Sequence, residues 1–565
     1  MIKTAPVYTI ENECQDCYKC VRHCHCKAIR IVNGKASVIA ENCVACGECV
    51  KVCPLHAKKI RSDLPRLRQM LGTDARLYAS IAPSFTAYFP GVTIGQLATA
   101  LKKIGFTGVA ETAIGAQAVS RQTAEFLKNT DLDLAISSAC PASVDYIRKY
   151  LPQYTANIVP LYSPVMAHCR MLREEFGEDC KVIFFGPCAA KKNEADRNPD
   201  IFTLAVTFAA LEELLEENGI APMAEKESPL LTDHAEEGRF YAVEGGMNDT
   251  LRDENRDVRY ISVSGLDNLD RMLRFYNGTA GKRKIFLETL ACPGGCINGP
   301  VIPAAFAGGL DVIAETDRIS TMEPSSKRDC QKNIEDNFAP EPLTEIHSSE
   351  RELTIALAKV GKFSREDELN CGACGYSTCR EFAEALIRHK AEEAMCHTYL
   401  RKNFERTSNA LIRFIPAGVV MVDEHLNICE CNRNFAIMSD MTEIYDTLGN
   451  LNTIAIETLL PGFAELFSSV ISNGGEIEKF NQKLHDKIVN ISVFSIARGK
   501  SAGAVIQDIT KNELQREHIA EKAREVIRKN VQTVQQVARL FGEHVADTEI
   551  LLNEIAGSYE RRGGK

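Results

Sequence analysis

The sequence predicts a multidomain α/β chain, and three observations carry that reading. At 565 residues it is too long for one core, because domains usually run to about 100–200 residues. Its 22 cysteines are clustered rather than scattered. Between about residues 76 and 300, apolar β-like runs alternate with amphipathic helical stretches, the pattern of a parallel sheet with helices on its faces. The composition (45% hydrophobic, 25% charged, net charge -10) is that expected of a soluble globular protein. No broad basic patch is present to neutralise phosphates, so nucleic acid is excluded as a partner.

The opening residues, Met1 to Glu11, lack the charged-then-apolar layout of a secretory signal. No run of about 18 apolar residues is present, so no membrane span is expected. Cysteines in such a chain are expected in the reducing cytoplasm, where metal ligation is a better default than disulfides.

The first sixty residues contain one cysteine pattern twice. Cys14, Cys17, Cys20 and Cys24 are spaced by two, two and three residues, and Cys43, Cys46, Cys49 and Cys53 repeat that spacing. A zinc ribbon pairs two Cys-x-x-Cys knuckles and does not need this doubled run. The pattern resembles a two-cluster ferredoxin, in which the last cysteine of each motif ligates the other cluster. That resemblance implies one 4Fe–4S cube on Cys14, Cys17, Cys20 and Cys53, and a second on Cys43, Cys46, Cys49 and Cys24. His25 stands where the first motif usually has proline, and Cys26 is expected to be a buried or idle thiol.

In the middle of the chain the runs Arg76–Pro83, Leu132–Cys140, Lys181–Cys188 and Lys284–Cys292 read as strands. Three of them end in cysteine. In parallel α/β sheets the ligand crevice lies beyond the carboxyl ends of the strands, so these cysteines can converge although far apart in sequence. Lys191 and Glu194 follow Cys188 at steps of three, which a helix would bring to one face. The phrases Ile136-Ser-Ser-Ala-Cys140-Pro, Phe184-Phe-Gly-Pro-Cys188 and Leu287-Glu-Thr-Leu-Ala-Cys292-Pro-Gly-Gly-Cys296 resemble, in order, the three signature motifs of the iron-only hydrogenases. The resemblance covers about residues 76 to 310. It implies an H-cluster: a 4Fe–4S cube joined through one cysteine to a di-iron unit with carbonyl, cyanide and bridging dithiolate ligands.

Carried onto this sequence, Cys140, Cys188, Cys292 and Cys296 would hold the cube, with Cys296 bridging to the di-iron unit. Lys191 matches the lysine that hydrogen-bonds a cyanide, Glu194 its acidic companion, and Pro83 and Ser84 a pocket-lining pair. The departures are equally informative. Family members usually place a proton-relay cysteine before the first ligand; here that position is Ala139. Gly186 and Leu290 stand where methionines are usual, and Val119–Glu125 lacks an expected glutamate pair. Proton transfer needs a titratable group within hydrogen-bond reach. Ala139 supplies none, so slow turnover is expected.

Further on, Cys371, Cys374 and Cys379 lead into a helix with Cys396 expected at its far end, resembling a small one-cluster iron–sulfur domain and implying a third accessory cube. From Leu411, Phe414-Ile-Pro-Ala-Gly-Val-Val-Met-Val-Asp423 and Asn432-Arg-Asn434-Phe435 resemble the opening of a PAS sensory domain, and Ile506-Gln-Asp-Ile-Thr510 its closing strand. Cys429 and Cys431, two apart, are expected on one strand face. Ile527, Val531, Val534, Val537, Leu540 and Phe541 form an apolar stripe at helical spacing, which pairing in a homodimer would cover.

The expected architecture is therefore a ferredoxin-like domain (1–65), a two-lobed α/β H-cluster domain (66–349) ending in a surface linker, a small α iron–sulfur domain (350–402), an α+β PAS domain (403–512) and an output helix (513–565). The function implied is a sensory iron-only hydrogenase acting slowly on hydrogen and protons. It would exchange electrons with a redox partner protein and report to a separate kinase or phosphatase. A fully catalytic hydrogenase, or an electron-transfer or assembly protein without the di-iron unit, are the alternatives.

Overall fold

The computed structural model describes residues 5–303, 334–510 and 522–533, apart from 233–234, 236, 253–254, 256, 279–282, 345–347 and 486. Most of the expected linker, and the stripe positions Val534, Val537, Leu540 and Phe541, lie outside the described residues. The chain divides into two compact units, Met1–His397 and Thr398–Lys565.

The first unit opens with strands β1 (Val7–Thr9), β2 (Ile29–Val32), β3 (Lys35–Val38) and β4 (Lys58–Ile60). Strands β1 and β4 pair antiparallel, as do β2 and β3. The doubled cysteine spacing produces doubled backbone geometry. Left-handed residues recur at Asp16 and Ala45, at Tyr18 and Gly47, and at Lys27 and His56, the same offset from the leading cysteine of each run. Such turns aim successive amides into a concavity.

Two parallel sheets follow. The first is four-stranded, in the order β6-β5-β8-β9, from β5 (Leu77–Ile81), β6 (Gly108–Glu111), β8 (Lys181–Gly186) and β9 (Leu204–Thr207). The second is three-stranded, in the order β10-β11-β7, from β7 (Leu134–Ile136), β10 (Val258–Ser264) and β11 (Lys284–Leu290). Every pairing in both is parallel. Helices cover the faces, so the strands are buried on both sides and read as apolar runs without alternation. Local signals set the helix ends: Thr93 and Gln96 form a capping box on Ile94–Ile104, and Gly105 closes it at φ 119°.

The cysteine-rich N-terminal module shares a core with the second sheet. Cys26, Ala28, Val44 and Ala45 pack with Ile136, Val144, Leu266, Leu287 and Ala291. Tyr150 donates to the carbonyls of Cys26 (2.9 Å) and Asn42 (2.7 Å), and Lys149 donates to that of Glu41 at 2.7 Å. The described end of the expected linker, residues 334–344, is pinned to this domain rather than free on its surface. Ile334 is wholly buried and accepts from Tyr162 N–H at 2.7 Å, and Arg148 Nε donates to Ala339 O at 2.7 Å.

Helices Glu350–Lys359 and Cys379–Ile387 pack together through Ala356, Leu357 and Ala383. Cys396 does not end the helix begun at Cys379. That helix stops at Ile387, and a second turn, Glu393–Met395, intervenes.

In the second unit, β12 (Gly418–Asp423), β13 (Ile428–Cys431), β14 (Glu476–Leu484), β15 (Lys487–Ala497) and β16 (Ser501–Asp508) form a five-stranded antiparallel sheet in the order β13-β12-β16-β15-β14. Asn432 is wholly buried and fully bonded. Its oxygen accepts from Val419 N and Phe435 N, and its amide donates to Ile412 O and Ala417 O. Cys429 and Cys431 do not share a face: Cys429 is exposed and Cys431 buried. A bulge between Met421 and Val422 shifts the register and breaks the two-residue alternation. Ala523 and Ile527, from the helical residues 522–533, pack with Ile412, Val419 and Val505.

Gly47 tests how tightly the N-terminal module is packed. It has φ +80°, and an added Cβ would stand 2.5 Å from Pro300 Cβ. Gly47→Ala should lower stability by about 3 kcal/mol, combining left-handed strain with overpacking. Gly475→Ala, at φ +88° with nothing within 4 Å, should cost only the backbone strain of about 1 kcal/mol. Thermal melting of the two variants measures the difference.

Candidate functional site

The cysteines singled out by spacing gather into four groups. Cys14, Cys17, Cys20 and Cys53 border one cavity, and Cys24, Cys43, Cys46 and Cys49 border a second. The last cysteine of each run thus sits with the other run. Backbone amides already point at sulfur, with Ala28 N to Cys24 Sγ and Ala45 N to Cys43 Sγ both at 3.3 Å. Cys26 also lines the second cavity; it is buried, which holds its thiol well above the ordinary range.

The third group draws its cysteines from the carboxyl ends of strands in both parallel sheets. Cys140 begins the helix Pro141–Tyr150 after β7, and Cys188 follows β8. Cys292 and Cys296 follow β11 in a loop that turns through Gly294 (φ 75°) and Gly295 (φ 104°). All four lie within electrostatic reach of one another. Burial pushes the Cys188 thiol up to about 11 and that of Cys296 up to about 12. Those two thiols are therefore neutral at pH 7 in the iron-free protein, and a metal that binds them must release their protons.

Lys191 and Glu194 meet on the helix Ala190–Arg197, Nζ to Oε2 at 2.8 Å, and Lys191 Nζ also donates to Ser163 Oγ at 2.8 Å. Pro83 and Ser84 follow β5, and the Ser84 hydroxyl is buried with no hydrogen-bond partner among the described residues, which protein atoms rarely tolerate. Ala139 is half-buried, its N–H donating to Ser137 Oγ at 3.2 Å. At Gly186, where methionine was expected, an added Cβ would stand 2.4 Å from the Phe184 ring. Phe184 occupies that space instead.

In the fourth group, Cys371, Cys374 and Cys396 are within electrostatic reach. Cys379 N–H donates to Asn370 Oδ1 at 2.8 Å, which ties the start of its helix to the loop that carries Cys371. The groups are also neighbours. Cys46 of the second acts on Cys292 of the third, and buried Tyr376 lies near both Cys24 and Cys374.

The two N-terminal quartets border cavities, and the amides aimed at the sulfurs of Cys24 and Cys43 fit thiolate ligands of an iron–sulfur cluster.

Two functional candidates were missed from sequence. Ser163 could not be found, because its bond to Lys191 spans 28 residues of chain. Glu288 had a signal, as the one carboxylate inside the apolar run of β11. It is 2% exposed and accepts from Ser262 Oγ at 3.1 Å, Asn248 N at 3.3 Å and Met247 N at 3.4 Å. Burial outweighs those bonds and lifts its carboxyl to about 7, and its charge reaches Cys296.

Residues 75–300 match the family model of the iron-only hydrogenase large subunit, C-terminal domain. Residues 367–397 match an Fe–S cluster domain and residues 36–59 a 4Fe–4S binding domain. The chain is 23% identical to the NADP-reducing hydrogenase subunit HndD of Solidesulfovibrio fructosivorans over 59% of its length and 72% of that subunit. It is 25% identical to iron hydrogenase 1 of Clostridium pasteurianum over 43% of its length and 52% of that protein. A solved FeFe-hydrogenase HydA1 from Chlamydomonas reinhardtii aligns over 50% of this chain and 100% of its own, at 16% identity and TM-score 0.39. Among the described residues no helix is long and apolar enough to cross a membrane. Cysteine groups, paired lysine and family match agree: this chain is a hydrogenase-like iron–sulfur protein whose residues 75–300 are similar to the C-terminal domain of the iron-only hydrogenase large subunit.

Proposed function

We propose that the chain is a sensory iron-only hydrogenase. It binds hydrogen slowly and reversibly at an H-cluster and reports through its C-terminal unit. One observation supports the reading: the third group of cysteines lies within electrostatic reach of Lys191, which bonds Ser163 and Glu194, while the position before Cys140 is Ala139.

Cys140, Cys188, Cys292 and Cys296 would hold the cube, and Cys296 would also bridge to the di-iron unit. When bound, the H-cluster supplies reversible cleavage of hydrogen into two protons and two electrons. Lys191 would donate to an anionic ligand, held in orientation by Ser163 and Glu194, and Pro83 and Ser84 would line the pocket. The Cys24 and Cys53 quartets and the set Cys371, Cys374, Cys379 and Cys396 would hold three accessory 4Fe–4S cubes. The electrostatic reach of Cys46 to Cys292, and of Cys24 and Cys374 to Tyr376, supports an electron path running from the H-cluster to the second and then the rear cube.

The methyl of Ala139 can neither give nor take a proton, so delivery to the site is slow and the bound state persists long enough to be read. The sheet order of the C-terminal unit and the four-fold bonding of Asn432 support a PAS domain. Its output would pass through the terminal helix, paired in a homodimer, to a separate kinase or phosphatase. A cytoplasmic setting, where thiols stay reduced and available to metal, belongs to the same reading.

Matured protein should show carbonyl and cyanide infrared bands that shift reversibly between hydrogen and argon, with very slow turnover. Ala139→Cys should raise turnover about 100-fold, the usual scale of one proton-transfer group. Absence of the bands defeats the di-iron reading, and fast turnover of the unaltered protein defeats the sensory one.

Glu288 favours a second reading, an ordinary enzyme with a different proton path. Its carboxyl, lifted by burial to about 7, is protonated in the fold below that pH, whereas an unfolded glutamate ionises near 4.3. It therefore costs no stability in acid, and progressively more as pH rises toward 7. Infrared difference spectra should show one protonated-carboxyl stretch lost as pH rises through about 7, absent in Glu288→Gln. Loss of most turnover in that variant, with the carbonyl bands intact, would support the enzyme reading.

A further inference from the structure

Two lysine side chains are almost wholly buried in the first unit, each 1% exposed. Lys192 is paired: its Nζ donates to Asp63 at 2.9 Å and to Ala205 O at 2.8 Å. Lys58 is different. Its Nζ donates to Thr9 Oγ1 and, at 3.4 Å, to Ala36 O, and no carboxylate comes within ion-pair distance of it among the described residues. A buried ammonium without a countercharge costs several kcal/mol. An iron-free N-terminal module therefore carries an uncompensated cation between its two cysteine sites.

Lys58 borders the first cavity together with Cys14, Cys17, Cys20 and Cys53. Burial raises the thiols of Cys20, Cys24, Cys43 and Cys49, and in each case the Lys58 charge opposes that rise. Those four cysteines come from both quartets. The neighbouring β-strand position explains the placement: Lys58 pairs with Thr9 in register, which turns its side chain inward between the sites. We propose that Lys58 is the fixed countercharge of both N-terminal iron–sulfur sites and raises their reduction potentials, that of the Cys14 site most.

The proposal rests on the reading that both quartets hold 4Fe–4S cubes. A cube with four thiolates carries a net charge of 2− when oxidised. It takes one electron from an external reductant to reach 3−, with no bond or proton moved. A buried cation stabilises the more negative state more strongly, and this attraction is little screened away from water. Lys58 is a tuning residue, acting through charge on groups it does not ligate.

The test uses the full chain reconstituted anaerobically with iron and sulfide. Iron content establishes whether the sites load, and electron paramagnetic resonance during a redox titration reads each midpoint potential. Cys20→Ser identifies the signal of the Cys14 site. In both Lys58→Met and Lys58→Gln, iron content should be unchanged and two midpoint potentials should move to more negative values, that of the Cys14 site further. The iron-free Lys58→Met chain should also melt at a higher temperature than the iron-free parent, because the unpaired charge is gone. Unmoved potentials at full iron content would overturn the role of Lys58 and leave the cluster reading intact. A shift in one variant only would assign the effect to packing and overturn it too. If iron never enters either site, the cluster reading fails and the proposal with it.

Discussion

The first unit depends on how closely backbone can approach backbone around the loop Cys292–Pro300. Gly295 sits at φ +104°, and an added Cβ would stand 2.6 Å from Ala242 O. Gly299 lies as close to Pro187, beside Cys188, and Gly47 of the N-terminal module lies against Pro300. One short loop therefore contacts the four-stranded lobe, the three-stranded lobe and the cysteine-rich module. Glycine is required where it turns, because a left-handed backbone is costly for any other residue. Cys292 and Cys296 owe their convergence with Cys140 and Cys188 to this packing, and Cys46 owes its proximity to Cys292 to the same contact.

Charge follows a consistent rule with informative exceptions. Several deeply buried ions are matched: Arg239 with Glu111 at 2.6 Å, and Lys192 with Asp63, which half-buried Arg61 also pairs. Such pairs are tolerated because their geometry offsets desolvation. Among the described residues Glu288 and Lys58 have no opposite charge within ion-pair distance, and both lie next to cysteine groups. Lys149 and Lys362 are also buried without an ion pair among the described residues, but their ammonium groups donate to backbone carbonyls at 2.7 Å. Unmatched groups beside a candidate site are where function is expected to concentrate.

Much of this was legible in the sequence, for identifiable reasons. Strand ends were announced by cysteines after apolar runs, and the crossing of Cys24 and Cys53 between sites followed from spacing and a ferredoxin resemblance. The strands β6, β9 and β10 were not singled out, because four to seven residues without a terminal signal look like any apolar stretch. The faces of Cys429 and Cys431 were misassigned because a bulge leaves no mark on hydropathy. The position of Cys396 was misjudged because the turn at Glu393–Met395 lacks glycine and proline. Ser163 and Lys58 act through tertiary neighbours that no local pattern encodes.

The repeated left-handed positions, with one cysteine exchanged each way between the two halves of the module, carry a consequence for its integrity. Each half has three cysteines around its own void and a fourth committed to its neighbour, so neither half closes its quartet alone. Displacing either run would leave both voids one thiol short, and the two sites stand or fall together.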